Sequence, residues 1–307
     1  MASLYFTSRV VGDSKPIPSI TKCHPKEALV ATGWASNRVL ITTDDGERLS
    51  VITRVTTATT IVWHPTKRMV AIGWRDGHVT LWQDTSRFSG GAQNEGTTLT
   101  APVHDSLAVV GMCWTTGGNT LLTASKSCSI GIWQLESGAT SGAAAAAAKT
   151  QEEREAAEMT FRLVMAWSSK TEMPIQTVVH LANHPDAVAA GAEGDDEVCF
   201  ALTTVSSSNV FVLSESQKVT CLIDHPSDFT TSSVIWDCYK RRLMTIAENN
   251  LMALHRVDED LEAVPTFSKR VRKIAIEKES KPDSTSVCWA LGNTIAISMC
   301  RGARTYV

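Results

Sequence analysis

The chain has no long hydrophobic run and no strong excess of either charge. No apolar segment approaches the roughly 18 residues that cross a bilayer. The segment from Met1 to Phe6 lacks the charged start and apolar core of a signal peptide. The formal net charge of -3 argues against a protein that binds duplex nucleic acid, which is usually clearly basic. We therefore expect a cytosolic protein that does not span a membrane.

Paired cysteines are also missing. None of the eight cysteines belongs to a C-x-x-C pair, and two of them, Cys113 and Cys288, lie in strand-like runs next to a tryptophan. Because the spacing of metal ligands is absent, a disulfide framework or a zinc site is disfavoured. We interpret the cysteines as small core hydrophobes in a reducing compartment. They are Cys23, Cys113, Cys128, Cys199, Cys221, Cys238, Cys288 and Cys300.

Motifs of catalysis are absent from the sequence. It contains no G-x-S-x-G, no G-x-x-x-x-G-K-[ST] and no His-Glu-x-x-His, so a nucleophile elbow, a P-loop and a zinc helix are unsupported. The acidic loop from Glu193 to Glu197 lacks the order of a calcium loop. The basic run from Lys269 to Lys273 has no interleaved aromatics, which favours an exposed connection over a nucleic-acid site. We predict no enzyme and assign no catalytic, cofactor-binding or metal residues.

What the sequence does contain is a three-strand pattern between Trp63 and Trp82. A strand ends at Trp63, where His64-Pro65 turns the chain, since proline cannot donate to a strand ladder. A second strand runs from Met69 to Trp74. The turn Arg75-Asp76-Gly77 then leads into a third strand that ends at Trp82. The pattern predicts an antiparallel meander.

This pattern recurs along the chain at several fixed shifts. Forty residues earlier, seven positions are identical, including His24-Pro25 and Gly33-Trp34. Weaker copies follow at shifts of 51 and 173, at Trp114 and Trp236, and another begins at Ser286. A period near 40 with about four short strands is typical of β-propeller blades. We predict an all-β propeller that occupies 1–307 as one domain, with about six visible blades of an incomplete seven-bladed ring.

Two long segments and one acidic loop interrupt the repeat and are candidate partner-binding surfaces. The segment Ser89 to Gly96 is polar and glycine-rich, and the acidic loop is Glu193 to Glu197. Residues 137–160 contain six consecutive alanines and then charged residues without an apolar stripe. We interpret 137–160 as a flexible or helical insertion between strands of neighbouring blades. A partner-binding helix within 138–158 is the less favoured alternative.

Histidines and tryptophans follow the same repeat. His24 and His64 occupy matching turn positions, which favours structural punctuation over a ligand pair. His104 precedes a first strand by several residues and is expected to order its blade by hydrogen bonding to a neighbouring strand. Tryptophans recur at the ends of first strands, which indicates packing between blades and not a ligand cage. They are Trp63, Trp114, Trp236 and Trp289.

On these residues the repeat resembles the WD40 family. Asp76 stands where that family has its turn aspartate, whereas the third unit has Ser127 there, and Gln83 follows Trp82 where the family commonly has aspartate. The resemblance implies divergent blades in which the hydrogen-bonded tetrad of the family is mostly absent.

A narrower resemblance rests on Trp63 to Thr66, Ala71 to Trp74, Gly77 to Val79 and the unit from Trp114 to Trp133. These segments are similar to the N-terminal propeller family of intraflagellar transport complex A subunit one-forty. The resemblance implies a non-catalytic scaffold of that complex that serves retrograde transport and assembly of the cilium or flagellum. Its partners would be other complex A subunits and ciliary cargo adaptors, with no nucleic acid and no membrane span. It would act in the cilium, its basal body and the cytoplasm.

The same resemblance implies a second propeller and helical repeats beyond Val307, so we expect the chain to be a fragment. The alternative is a six-bladed ring closed by a strand at Leu4 to Phe6. A WD40 adaptor of a vesicle coat or of a ubiquitin ligase is the alternative function.

Overall fold

The computed structural model describes residues 18–84, 97–99, 104–137, 161–182, 198–247, 251–270, 284–289, 295–301 and 304–306. These residues form six antiparallel sheets, and in each sheet the strands lie in chain order. The first strands of successive sheets contact one another, from β1 to β5, β9, β13, β17 and β21. Each sheet is therefore a propeller blade with its first strand innermost, as the repeat predicts.

The first three blades have four strands each. They are β1 (Pro18–Cys23), β2 (Leu29–Trp34), β3 (Arg38–Thr43), β4 (Arg48–Thr53), β5 (Ala58–Trp63), β6 (Met69–Trp74), β7 (Val79–Gln83), β8 (Thr97–Leu99), β9 (Val109–Trp114), β10 (Thr120–Ser125), β11 (Ser129–Ser137) and β12 (Phe161–Lys170).

Blades 4 and 5 also have four strands, and three strands of blade 6 are described. They are β13 (Ile175–His180), β14 (Phe200–Thr204), β15 (Val210–Leu213), β16 (Val219–Ile223), β17 (Thr231–Asp237), β18 (Arg242–Ala247), β19 (Leu251–Val257), β20 (Ala263–Arg270), β21 (Ser284–Trp289), β22 (Ile295–Arg301) and β23 (Arg304–Tyr306).

The hydrophobic core lies between blades, because a propeller blade packs against a neighbour on each side. Every residue of the second strands β6, β10 and β14 is buried. This two-sided burial explains why these strands are nearly continuous apolar or small-residue runs and do not alternate. At the contact between blades 2 and 3, a Cβ on Gly73 would lie 2.8 Å from Val109 Cγ1, so only glycine fits there.

The position of the insertion corrects the sequence interpretation. Residues 138–160 lie outside the described part of the chain, but Ser137 pairs with Phe161 across β11 and β12. These are the third and fourth strands of blade 3, so the insertion separates strands of one blade and not of neighbouring blades. Ser137 itself belongs to β11.

Two further expectations are also corrected. Lys269 and Arg270 end strand β20 and are therefore not part of a connection, whereas 271–273 lie outside the described residues. Of the six cysteines whose side chains the structure describes, Cys199 is buried but Cys23 and Cys221 are exposed, so the cysteines are not uniformly core residues. None of these six forms a disulfide. Nor does any helix in the described chain have the length and apolarity of a membrane span.

Candidate binding face

The two faces of the propeller differ in the connections that they carry. Turns between first and second strands, such as 24–28 and 64–68, lie at one end of the blades, which we call the turn face. The residues that connect one blade to the next, such as 54–57 and 224–230, lie at the opposite end, which we call the linker face. Because strands alternate in direction, connections between third and fourth strands also emerge on the turn face.

All three candidate surfaces from the sequence fall outside the described residues, but their flanking strands locate their ends. Segment 85–96 joins β7 to β8, 138–160 joins β11 to β12, and 183–197 joins β13 to β14. The first two connect third to fourth strands and the last connects a first to a second strand. All three therefore begin and end on the turn face, in the consecutive blades 2, 3 and 4.

Buried histidines hold the turn face together. His24 is 5% exposed; its Nδ1 accepts hydrogen bonds from the backbone N–H of Lys26 and Glu27, at 3.1 and 2.9 Å. Since Nδ1 accepts, Nε2 carries the proton and donates to the Lys67 carbonyl of blade 2, at 2.9 Å. The His-Pro punctuation predicted from the sequence is thus confirmed as structural, and its side chain also connects two blades.

His64 repeats this arrangement one blade further along. Its Nδ1 accepts from the N–H of Thr66 and Lys67, and its Nε2 lies 3.0 Å from the Gly118 carbonyl of blade 3. Its ring also lies 5.0 Å from the Trp114 ring. The sequence signal that could have revealed this contact is the recurrence of histidine at the same repeat position, because a turn alone does not require that side chain.

Two tryptophans near the ends of first strands, Trp63 and Trp236, make the reciprocal contact. Trp63 Nε1 donates to the Lys22 carbonyl of blade 1 at 2.8 Å, and Trp236 Nε1 donates to the Ala182 carbonyl of blade 4 at 2.9 Å. Each indole therefore binds backwards to the preceding blade, as His24 and His64 bind forwards. This confirms the prediction that these tryptophans pack between blades, and it gives a rigid frame to the turn face.

On the linker face, blade 3 contains a buried three-residue hydrogen-bond network. His104 Nε2 lies 2.9 Å from Thr123 Oγ1, and Trp133 Nε1 donates to the same oxygen at 2.8 Å. Burial lowers the pKa of His104 to about 4, against a smaller opposing effect of Asp105. The expectation that His104 orders its blade is confirmed. His104 Nδ1 has no hydrogen-bond partner, and Ser127 of the blade 3 turn binds Ser125 and Ser129.

Blade 2 stabilises its linker face with an ion pair. Asp76, at the turn position that corresponds to Ser127, accepts from Arg54 Nη2 at 2.8 Å and from the His78 N–H at 3.3 Å. Burial raises the pKa of Asp76, but the bonds from Arg54 and His78 outweigh it, so the pKa is lowered overall. The Arg54 guanidinium also lies 5.8 Å from the Trp74 ring.

Blade 5 has a related network with a different third member. His225 Nε2 lies 3.0 Å from Thr245 Oγ1, and the His225 ring stacks on Phe229 with centroids 4.0 Å apart. His255 meets His225 edge-on at 5.1 Å. Burial is the main cause that lowers the pKa of both histidines, that of His225 to about 4. Beside the pair lies a cleft of about 490 Å³.

None of these groups resembles a metal site. Within the described ranges no set of three histidine, cysteine, aspartate or glutamate side chains is placed to hold a metal ion. The thiol of Cys113 is not activated either, because burial raises its pKa to about 11. Among the described histidines, His24, His64, His104 and His225 make hydrogen bonds that connect strands or blades.

The blades and their network place the chain among the WD40-type β-propellers. A structure titled "Crystal Structure of Mitotic Checkpoint Complex" matches this fold with a TM-score of 0.61 and 10% identity, over 94% of this chain and 73% of that chain. At that identity the match shows the fold alone.

The family follows from sequence. The family model described as "IFT140 first beta-propeller" matches residues 3–300, and the chain therefore belongs to that family. No curated protein matches the chain.

Proposed function

We propose that this propeller is a non-catalytic scaffold of intraflagellar transport complex A that binds partner proteins through its turn face. The observation that carries the proposal is the match of residues 3–300 to the first propeller of IFT140. Such a scaffold would act in the cilium or flagellum and its basal body, in retrograde transport and in ciliary assembly. Its partners would be other complex A subunits and cargo adaptors.

The geometry of the turn face supports this use. Three long connections in blades 2, 3 and 4 begin and end there, and loops on a rigid scaffold are where binding residues concentrate. Contacts on the turn face join these three blades, because His64 binds the Gly118 carbonyl of blade 3 and the Thr116 N–H of blade 3 donates to His180 of blade 4. They relate the ends of the three connections to one another. A partner that binds two of the connections would therefore find their ends already held at a fixed distance from each other.

The test is affinity purification of the tagged protein from ciliated cells. We expect complex A subunits to copurify with the native sequence. Replacing 89–96, 138–158 or 193–197 by a short Gly-Ser linker should reduce the recovery of at least one subunit. The matched control replaces turn 35–37, which lies on the linker face of blade 1, and should leave recovery unchanged. Recovery of vesicle-coat or ubiquitin-ligase subunits in place of complex A subunits would overturn the proposal.

A further inference from the structure

A groove of about 660 Å³, which we call the rim groove, lies between the outer strands of blades 3 and 4. Its first wall consists of residues 169–173, at the end of β12 and in the linker that follows. Its second wall belongs to β14, β15, β16 and their turns in blade 4. The Ser169 hydroxyl donates to the Gln217 carbonyl at 3.3 Å, and the Thr171 N–H donates to the Cys128 carbonyl at 2.8 Å. These bonds connect the first wall both to the second wall and to its own blade.

Three apolar side chains line the rim groove. Phe211 and Val219 are partly buried, because they pack against the core cluster between blades 3 and 4, and they also line the groove. Met173 lines it as well and is 47% exposed. A methionine side chain is flexible and polarisable, so it adapts to the shape of what it contacts. Covering these apolar surfaces is favourable, and the groove therefore suits a ligand that offers an apolar side chain.

Positive charge prevails along the rim groove. Lys170 lines the first wall and Lys218 the second; both are exposed, and neither forms an ion pair with a described residue. Glu172 is the one carboxylate among the described residues that line the groove, since Glu215 of the nearby turn is not part of the lining. Two lysines with one carboxylate favour a ligand that carries negative charge next to its apolar side chain.

The other side chains of the rim groove are neutral and polar. Hydroxyl and amide groups both donate and accept, so they can pair with the N–H and C=O groups of an extended main chain. Examples on the second wall are Ser207, Asn209 and Thr220. A small anion such as phosphate would use the lysines and leave the apolar surface uncovered. A peptide segment uses the apolar, cationic and neutral polar groups together.

We propose that the rim groove binds an extended acidic segment of a partner protein. One apolar side chain of that segment contacts Met173, Phe211 and Val219. Acidic residues on both sides of it lie near Lys170 and Lys218. The proposal does not depend on the transport role, because no residue of the rim groove belongs to the three connections assigned to the transport partners.

The test measures binding of the probe N-acetyl-Glu-Asp-Leu-Asp-Glu-amide to the folded 307-residue chain, by calorimetry and by NMR of methionine methyl groups. We expect a Kd on the order of 0.1 mM and a shift of the Met173 methyl signal. A probe with glycine in place of leucine should bind about fivefold more weakly, since it lacks the apolar side chain. An unmoved Met173 signal at a probe concentration about tenfold above the expected Kd, or equal affinity of the glycine probe, would overturn the proposal.

Charge reversals locate the site. Lys170→Glu and Lys218→Glu change exposed side chains without touching the core, and each should weaken the acidic probe about fivefold. Lys126→Glu is the matched control, because Lys126 is an exposed lysine of blade 3 outside the groove, and it should leave the affinity unchanged. The double variant Lys170→Glu/Lys218→Glu should instead bind N-acetyl-Lys-Lys-Leu-Lys-Lys-amide. An equal loss in Lys126→Glu would show general attraction between opposite charges and would contradict the proposal.

A second copy of the chain is the competing occupant. Light scattering of the native chain and of Lys218→Glu distinguishes it from a partner protein. We expect the same mass for both, that of one chain. A dimer that Lys218→Glu dissociates would show that a second copy fills the rim groove, and the proposal of an acidic partner would then be wrong.

Discussion

Blades 3 and 5 have the same buried His–Thr pair but differ in the residue opposite it. In blade 3 the Thr123 hydroxyl donates to the Gly131 carbonyl and accepts from Trp133. Because its proton is used in that way, His104 Nε2 is assigned as its second donor. In blade 5 the Thr245 hydroxyl donates to the Ala253 carbonyl and lies within hydrogen-bond distance of His225 Nε2. His255 takes the place that Trp133 has in the blade 3 network.

The glycine of blade 3 explains this difference. A Cβ on Gly131 would lie 3.0 Å from both Thr123 Oγ1 and Trp133 Nε1, tighter than most contacts of real Cβ atoms. The indole can reach threonine only because residue 131 has no side chain. Blade 5 has Ala253 at this register position, so its methyl group occupies the path of an indole. In these two threonine-centred networks, glycine accompanies the tryptophan and alanine accompanies the histidine, and a cleft lies beside the histidines of blade 5.

The largest expected contrast comes from removing the threonine hydroxyl at the centre of each network. Thr123→Val leaves two buried donors without an acceptor, whereas Thr245→Val leaves one. At about 1–3 kcal/mol for each unsatisfied donor, we expect losses in the free energy of unfolding of about 3 and about 1.5 kcal/mol. Urea denaturation followed by tryptophan fluorescence measures both. Equal losses would show that Trp133 contributes nothing through its hydrogen bond.

The next contrast tests the linkage between glycine and tryptophan. Gly131→Ala should cost about 2 kcal/mol, because the new methyl group crowds the hydroxyl and the indole. In a Trp133→His background, which imitates blade 5, the same substitution should cost much less. The measured quantity is the coupling free energy of the double-mutant cycle. Additive effects would mean that the methyl group is accommodated without moving the indole.

The propeller itself was predictable from the sequence, because a blade is built from local strands and turns that repeat. Trp63 and His64-Pro65 mark a strand end that recurs along the chain, and the described structure has strands ending at Trp63, at Trp114 and next to Trp236. The possible strand at Leu4 to Phe6 lies outside the described residues. The hydrogen-bond partners of His64 and His104 were harder to predict from the sequence. His64 binds a carbonyl 54 residues away in another blade, a distance in sequence that no local pattern specifies.

The insertion and the tetrad illustrate a second limit of prediction from the sequence, which is that strand pairing is not specified locally. Placing 138–160 within blade 3 requires knowing that β12 pairs with β11, and the alanine-rich composition carries no such information. Similarly, a comparison of dipeptides suggested a mostly absent tetrad, yet His104, Thr123 and Trp133 of blade 3 form two of its hydrogen bonds. Register, which joins Thr123 to Gly131 and Leu121 to Trp133, is set by the sheet as a whole.

Lowering the pH should destabilise blade 5 more than blade 3. The pKa values of His104, His225 and His255 are lowered from 6.5, so the unfolded chain binds more protons than the folded chain below pH 6.5. Stability is therefore lost as pH falls from 6.5 towards 4. For His104 and His225, whose pKa values are about 4, the loss is about 1 kcal/mol each between pH 6.5 and 5.5, and His255 contributes in the same direction. Blade 5 has two such histidines and blade 3 has one. Hydrogen exchange should show a greater loss of protection in β17–β20 than in β9–β12, whereas equal losses would contradict the prediction.

The smallest effect concerns the turn residue that blade 3 lacks. Ser127→Asp places a carboxylate at the turn position where blade 2 has Asp76, which binds Arg54 of the connection that precedes its blade. In blade 3 the corresponding connection contains His104, whose Nδ1 has no hydrogen-bond partner. Since His104 Nε2 already donates to Thr123, a carboxylate at this turn favours protonation of Nδ1 and hence the charged ring. The pKa of His104, followed by NMR titration, should rise from about 4 towards its ordinary value of 6.5, while stability at pH 7 changes by less than about 1 kcal/mol. Ser127→Asn, which has the same shape without the charge, is the control and should move the pKa much less. An unchanged pKa in Ser127→Asp would show that a side chain at this turn does not interact with His104. The hydrogen-bond network of blade 3 would then consist of His104, Thr123 and Trp133 alone.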